Sequence, residues 1–135
     1  MRNRIVWLLL SALVLAACSG VPRRESDSKE LARYQPYVGA PITQFSTLRG
    51  ITGWNALGDD KLIVWSGIND AYLLTVAQPC MNLGFANSIA FTSTTSMITT
   101  FDFVRLRNNE RCAITEIRPI DYRRMKEDLR AQNAK

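Results

Sequence analysis

The sequence predicts a mainly β (α+β) fold: a single small antiparallel sheet or open barrel with one C-terminal helix, preceded by a signal peptide and a flexible tether. Three observations carry that reading. From Ile42 onward, short apolar or alternating runs are punctuated by turn residues, the pattern of an antiparallel β domain. After Pro119, the side chains Tyr122, Met125 and Leu129 recur at i, i+3 and i+7, which places them on one helical face. Before Tyr34, an apolar run gives way to a polar, charged stretch with hardly any apolar content ahead of Leu31.

Residues 1–17 form the leader. Arg2 and Arg4 precede the almost unbroken apolar run from Ile5 to Leu15, and Leu15-Ala16-Ala17-Cys18 follows at once. That order is the pattern of a bacterial lipoprotein signal peptide, with Cys18 as the lipidation site. A spanning helix needs about 20 apolar residues, and the run supplies eleven before Ser19-Gly20 and Pro22 interrupt. An ordinary secretory signal carries small residues in an A-x-A arrangement before the cut. Here the third residue before Cys18 is Leu15, which resembles the lipobox of lipoprotein-specific processing. In resembling systems serine after the cysteine lets the product move on, so Ser19 points to the outer membrane, facing the periplasm. Stable anchoring takes two or more lipid signals, and resembling lipoproteins carry a diacylglyceryl group and usually a third chain. The membrane is therefore the first expected partner, through acyl chains on Cys18. The alternative is secretion to the periplasm without an anchor.

Residues 18–34 read as the lipidated tether. About 15 residues of flexible coil reach roughly 20 to 25 Å, enough to hold a domain off a lipid surface. Ser28 to Tyr34 has room for a short helical turn, and Arg23 and Arg24 either rest on anionic headgroups or are simply solvated.

The single β-rich domain occupies 35–135. Strands are expected near Ile42 to Leu48, Ile51 to Leu57, Leu62 to Ser66, Ala71 to Ala77, Ser88 to Ser93, Ile98 to Leu106 and Cys112 to Arg118. Gly58-Asp59-Asp60-Lys61, Gly67-Ile68-Asn69-Asp70 and Arg107-Asn108-Asn109-Glu110-Arg111 read as hairpin loops, which together imply a meander. Gln78-Pro79-Cys80 to Asn87 breaks the series, because proline cannot continue a ladder, and a turn should carry Cys80. The C-terminal helix is expected over 121–132, with Asp121 capping its start and the Tyr122, Met125, Leu129 stripe packing on the sheet.

Residues 18–135 suffice for one domain with one modest core. Once Arg2 and Arg4 leave with the leader, 15 basic side chains face 12 acidic ones, a mildly basic balance. The envelope address and the lack of a Lys/Arg stripe interleaved with aromatics argue against nucleic acid as a partner. Of three cysteines, assigning Cys18 to lipid leaves Cys80 and Cys112, an even pair in an oxidising compartment and most simply a structural disulfide. Closing a loop of that length contributes on the order of 3.5 kcal/mol in the chain-entropy account. The spacing is far from the C-x-x-C of catalytic redox pairs.

The sequence contains no histidine. That removes Ser-His-Asp and Cys-His machinery, His-ligated zinc and the commonest general base. No G-x-S-x-G, P-loop or dinucleotide fingerprint is present. The expectation is therefore no enzyme, no catalytic residue, no metal and no cofactor. Asp59 and Asp60 read as turn residues, with paired acid and base chemistry as the minority reading. Asp102 stands between Phe101 and Phe103, where apolar surroundings can raise a carboxyl pKa or a strand edge can present it to water. The hydroxyls of Thr92 to Ser96, Thr99 and Thr100 could meet a glycan or simply face solvent. Arg105, Arg107, Arg111, Arg118, Arg123 and Arg124 crowd the last third, where guanidinium forks match phosphate or carboxylate. Interleaved carboxylates such as Glu116 make local pairing the competing account. Trp54 and Trp65 read as core, with sugar stacking as the alternative.

Ala71-Tyr72-Leu73-Leu74, Pro79-Cys80, Phe91-Thr92-Ser93, Asp102, Cys112-Ala113-Ile114 and Ile117-Arg118-Pro119-Ile120-Asp121 together resemble a family of small proteobacterial lipoproteins or secreted proteins of unknown function. The likeness covers about residues 50 to 121. It implies the Cys80–Cys112 bridge and one small domain, and it brings no activity. The leading expectation is a lipid-anchored periplasmic envelope protein, a noncatalytic binding or accessory module contacting another envelope protein or a glycan. Asp102, Arg105 and Arg118 are the candidate contact residues. The alternatives are a carboxylate-dependent hydrolase or lyase using Asp102 with nearby arginines, and a purely structural envelope lipoprotein.

Overall fold

Leu62, Ile63 and Val64 are all fully buried. Successive side chains on a strand point to opposite faces, so three buried in a row require apolar cover on both sides of the sheet. The computed structural model, which describes residues 23–135, shows both layers. The leader and Cys18 lie outside the described residues.

In chain order the elements are helix α1 (Arg23–Tyr34), strands β1 (Gln44–Ser46), β2 (Gly53–Ala56), β3 (Lys61–Trp65), β4 (Asp70–Val76), β5 (Ile89–Phe91), β6 (Met97–Thr99), β7 (Phe103–Leu106) and β8 (Arg111–Asp121), and helix α2 (Tyr122–Asn133). Short 3-10 turns cover Gln35–Tyr37 and Leu83–Phe85. Six strands form one curled antiparallel sheet, a half-barrel in the order β2-β3-β4-β8-β7-β5, and β1 pairs with β6 in a second, two-stranded sheet.

Register assigns the faces. On the concave face Leu62 opposes Leu74, which opposes Ile117, and Val64 opposes Tyr72. Phe45 of β1 and Ile98 of β6 complete this core, the Phe45 ring stacking on Tyr72 at 4.1 Å between centroids. On the convex face Ile63 opposes Leu73 and Ala71 opposes Ile120. There Tyr34 with Leu31 of α1, and Met125 with Tyr122 and Leu129 of α2, form a second core. Burying each of these larger side chains contributes about 1.5–3 kcal/mol. A bulge lets β8 serve both neighbours: Thr75 pairs with Glu116 and Val76 with Ile114, so Thr115 is the extra residue and both Ile114 and Ile117 face the concave core.

The mainly β architecture with a C-terminal helix is as expected, and the helix starts where the cap predicts, with the Arg124 amide donating to Asp121 Oδ1 at 3.1 Å. Four details differ. The expected tether is helical from Arg23 to Tyr34, because Leu31 and Tyr34 reach the convex core and Glu30 accepts from Asn55 at 2.9 Å. The expected strand from Ile98 to Leu106 is two strands, β6 and β7, broken at Thr100–Asp102. β8 runs through Pro119 to Asp121, since that stretch lies beyond its pairing with β7 and Pro119 needs only its carbonyl, which accepts from Gly39 at 2.8 Å. The meander also stops at β4, whose second neighbour is β8 rather than β5.

Antiparallel pairing also sorts the connections to two ends. The β2–β3 turn, the 77–86 segment and the β7–β8 turn share one end, and the β3–β4 turn and the start of α2 share the other.

Candidate functional site

The helices cover only part of the convex face. Beyond them, the outward residues of the β5–β7–β8 half follow from register: Ala90 opposes Arg105, and Arg105 opposes Arg111. Their strand neighbours Val104, Leu106 and Cys112 point inward and are buried. Sequence alternation thus puts two guanidinium groups side by side on an open surface. The hairpin fixes the pairing: Asn109 takes the left-handed conformation at φ 64°, and the Leu106 amide donates to Glu110 O at 2.9 Å, so residues 105 and 111 must face each other.

Like charges directly opposite are destabilising, by an amount comparable to the 0.2–1 kcal/mol an opposite pair contributes. Among the described residues no carboxylate pairs with either arginine; Arg111 instead lies over the Phe103 ring at 4.6 Å. The two arginines line a depression of about 530 Å³ with Phe91, Thr92, Ser93 and Asn109. Thr92 is held in place on its inner side, its Oγ1 accepting from the Phe103 amide at 2.9 Å and donating to Asp102 Oδ1 at 3.3 Å. A concavity with two cross-strand cations, hydroxyls and an aromatic edge can bind an anionic, hydroxylated ligand without any proton transfer.

The expected trio does not assemble. Asp102 sits in the β6–β7 turn, where Oδ2 accepts from the Thr99 amide at 2.9 Å and from Thr99 Oγ1 at 3.0 Å. Arg118 lies in the helix-covered half of the convex face and is held by Glu116, Nε to Oε1 at 2.8 Å. No hydrogen bond or ion pair among the described residues joins Asp102 to Arg105 or Arg118. Local pairing accounts for Arg118, whereas Arg105 is left to the open face. Arg111 is the partner that reading by residue type passes over; the turn Arg107-Asn108-Asn109 between two strands was the signal that could have paired it with Arg105.

A larger depression, about 610 Å³, lies between α1, the β2–β3 turn and the 78–86 segment, lined by Asp27, Leu31, Asp59, Lys61, Gln78 and Phe85 among others. Asp60 faces Lys61 Nζ at 2.6 Å and the Asp59 carbonyl accepts from Gln78 at 2.7 Å, so these residues build the turn as their type suggests. Trp54 and Trp65 are half-buried on opposite faces, each packed on a core rather than presented as a platform.

Comparison with known proteins adds one match. The model of the family described as "Family of unknown function (DUF6491)" covers residues 1–135. The chain belongs to this family. No curated protein and no solved structure matches it. The match extends past residues 50–121, where the sequence resemblance lies, to both ends of the chain.

In this DUF6491 member Cys80 and Cys112 form a disulfide, with Cα atoms 5.7 Å apart, that ties the 78–86 segment to the start of β8. Glu110 lies beside the bridge; among the described residues these three are the one grouping with metal-ligand types close together. With both sulfurs bonded to each other, Glu110 serves the loop instead, accepting from Asn82 Nδ2 at 2.7 Å and from the Met81 amide at 3.0 Å. The Asn82 amide is the main cause holding the Glu110 carboxyl below its ordinary pKa.

Proposed function

We propose that this DUF6491 protein is a lipid-anchored envelope module that binds an anionic glycan, without catalysis, on the open face carrying Arg105 and Arg111. One observation supports the ligand class above the others: two cross-strand arginines share a hydroxyl-lined depression, and among the described residues no carboxylate pairs with them. The leader pattern and Cys18 support the anchor, and the oxidised Cys80–Cys112 pair agrees with an oxidising compartment. Peptidoglycan and lipid A both offer carboxylate or phosphate on a sugar scaffold, the chemistry the guanidinium forks match.

The test is cosedimentation of the purified folded domain with isolated peptidoglycan. The wild-type domain should pellet with the polymer, Arg105→Glu/Arg111→Glu should reduce binding at least tenfold, and Arg123→Glu, on exposed α2, should leave it unchanged. Equal binding by wild type and the double variant would remove this face from the reading. For the anchor, palmitate labelling should disappear with Cys18→Ala.

A further inference from the structure

We propose that the reduced chain holds a thiophilic divalent cation, of the zinc class, between the thiolates of Cys80 and Cys112 and the carboxylate of Glu110. This is independent of the anchor and of the arginine face. Alternation along the start of β8 supplies two of the ligands: Cys112 turns inward opposite Val104, Arg111 before it faces out, and Glu110, one residue further back, returns to the side of Cys112. Cys80 comes from the 78–86 segment, laid against that strand with the two cysteine Cα atoms 5.7 Å apart. Each residue offers one ligand atom, and the three lie within 4.8 Å of one another.

Ligands around a tetrahedral zinc, at about 2.3 Å for sulfur and 2.0–2.2 Å for oxygen, stand roughly 3.5–3.8 Å apart. Side-chain rotation from the present Cα positions reaches that spacing. Glu110 does not have to be recruited: Oε2 accepts from Asn82 Nδ2 at 2.7 Å and Oε1 from the Met81 amide at 3.0 Å, the outer hydrogen bonds that orient a ligating carboxylate. Each oxygen keeps a lone pair for the cation. Cys80 and Cys112 are buried, where a bare thiolate is disfavoured, and a divalent cation removes that penalty for both. Met81 and Asn82 are exposed beside Glu110, which gives the cation a way in and leaves a fourth position to water. Thiolates select zinc-class ions over magnesium or calcium.

The site and the bridge are alternatives. The chain is synthesised with thiols, and the cation displaces their two protons without moving electrons. Closing the disulfide passes two electrons from the thiolates to an oxidant of the disulfide or quinone class and frees the cation. Either link ties the 78–86 segment to β8, so the cation does before oxidation what the bridge does after it.

The experiment uses the full-length chain carrying Cys18→Ser, in which Cys80 and Cys112 are the remaining cysteines, reduced with a phosphine and titrated anaerobically with cobalt(II) and then zinc. Reduced protein should show a thiolate-to-cobalt charge-transfer band and the d–d bands of a tetrahedral site, saturating at one ion per chain and erased by zinc. Oxidised protein should show neither. Glu110→Gln, which keeps an acceptor for Asn82, should weaken zinc binding at least tenfold. Zinc at a hundredfold excess over its Kd should raise the Tm of the reduced protein by about 10 °C. No bands in the reduced protein, equal bands in the oxidised protein, or unchanged affinity in Glu110→Gln overturns the site. So does an unchanged Tm, since the metal would then be held by the thiols of an opened chain.

Discussion

Replacing both bridge cysteines, Cys80→Ala/Cys112→Ala, should cost this domain a large part of its stability. The bridge closes a loop across a sequence separation of 32, and the chain-entropy estimate for such a loop is about 3.5 kcal/mol. Both residues are buried, at 0% and 1% exposure, beside Leu83, Val104 and Ile114, so truncating two sulfurs in that core adds roughly 1 kcal/mol of lost packing. Unfolding entropy of about 2.1 cal/mol/K per residue, applied to residues 23–135, converts the sum to a fall in Tm of roughly 15–20 °C. Because most of the effect acts on the unfolded chain, the urea m-value should rise as the denatured ensemble expands. Calorimetry and urea titration of the two proteins, with intact masses differing by two hydrogens before and after reduction of the wild type, give the answer. A Tm fall of less than about 5 °C with an unchanged m-value would refute the argument, since at most the packing term would then be present and the loop term would be missing.

Three further outcomes follow from side-chain geometry. Asp102→Ala removes the acceptor for both Thr99 donors and for Thr92; it should cost about 1–3 kcal/mol in urea titration, and a neutral result would mean the β6–β7 turn holds without it. Asp121→Ala removes the α2 cap and should cost about 1 kcal/mol, read as a lower Tm with Asp121→Ser close to wild type. Burial, and secondarily Asp70, push the Tyr72 phenol pKa up, and burial does the same to Tyr34. A raised folded pKa means the contribution is intact below about pH 10, the unfolded value, and is lost as pH rises through the folded pKa. Tm measured from pH 8 to 11.5 should therefore fall above pH 10, and Tyr72→Phe should flatten that limb; an identical limb in the variant would place the titration elsewhere.

The period-2 runs and turn residues made the β class and most strands legible, because each hairpin is a local event. Leu62-Ile63-Val64 went further than alternation, since an unbroken apolar run in a short strand already signals cover on both faces. Long-range choices were not legible. Nothing local says that β4 pairs with β8, or that β1 finds β6 across half the domain. The break in the expected Ile98–Leu106 strand depends on one side chain: Asp102 offers the Thr99 amide an acceptor that competes with the ladder. The helix α1 carries few apolar residues, and Leu31 and Tyr34 stabilise it only once Ile63 and Leu73 are there to receive them. Of the site, the residue types were legible and their assembly was not. Arg105 stayed, Arg118 went to Glu116, and Asp102 became a turn residue.

Coverage of the sheet decides where a ligand can sit. Half-barrels can hold a ligand on the concave face, but here Phe45 and Ile98 fill that space at 3% exposure each, and Leu83 closes it from the disulfide-bonded segment. Opening it means taking Phe45 off Tyr72, and losing a core phenylalanine's contacts alone costs about 3–5 kcal/mol, more than a typical small ligand could offset and still bind. The β2, β3 and β4 side of the convex face lies under α1 and α2, whose buried Tyr34 and Met125 impose a similar cost. What remains is the β5–β7–β8 part of that face, which neither α1 nor α2 covers, so among the described residues nothing has to be displaced for a ligand to bind there. The two arginines stand there, so the surface that costs least to occupy is also the one whose charge no carboxylate among the described residues compensates.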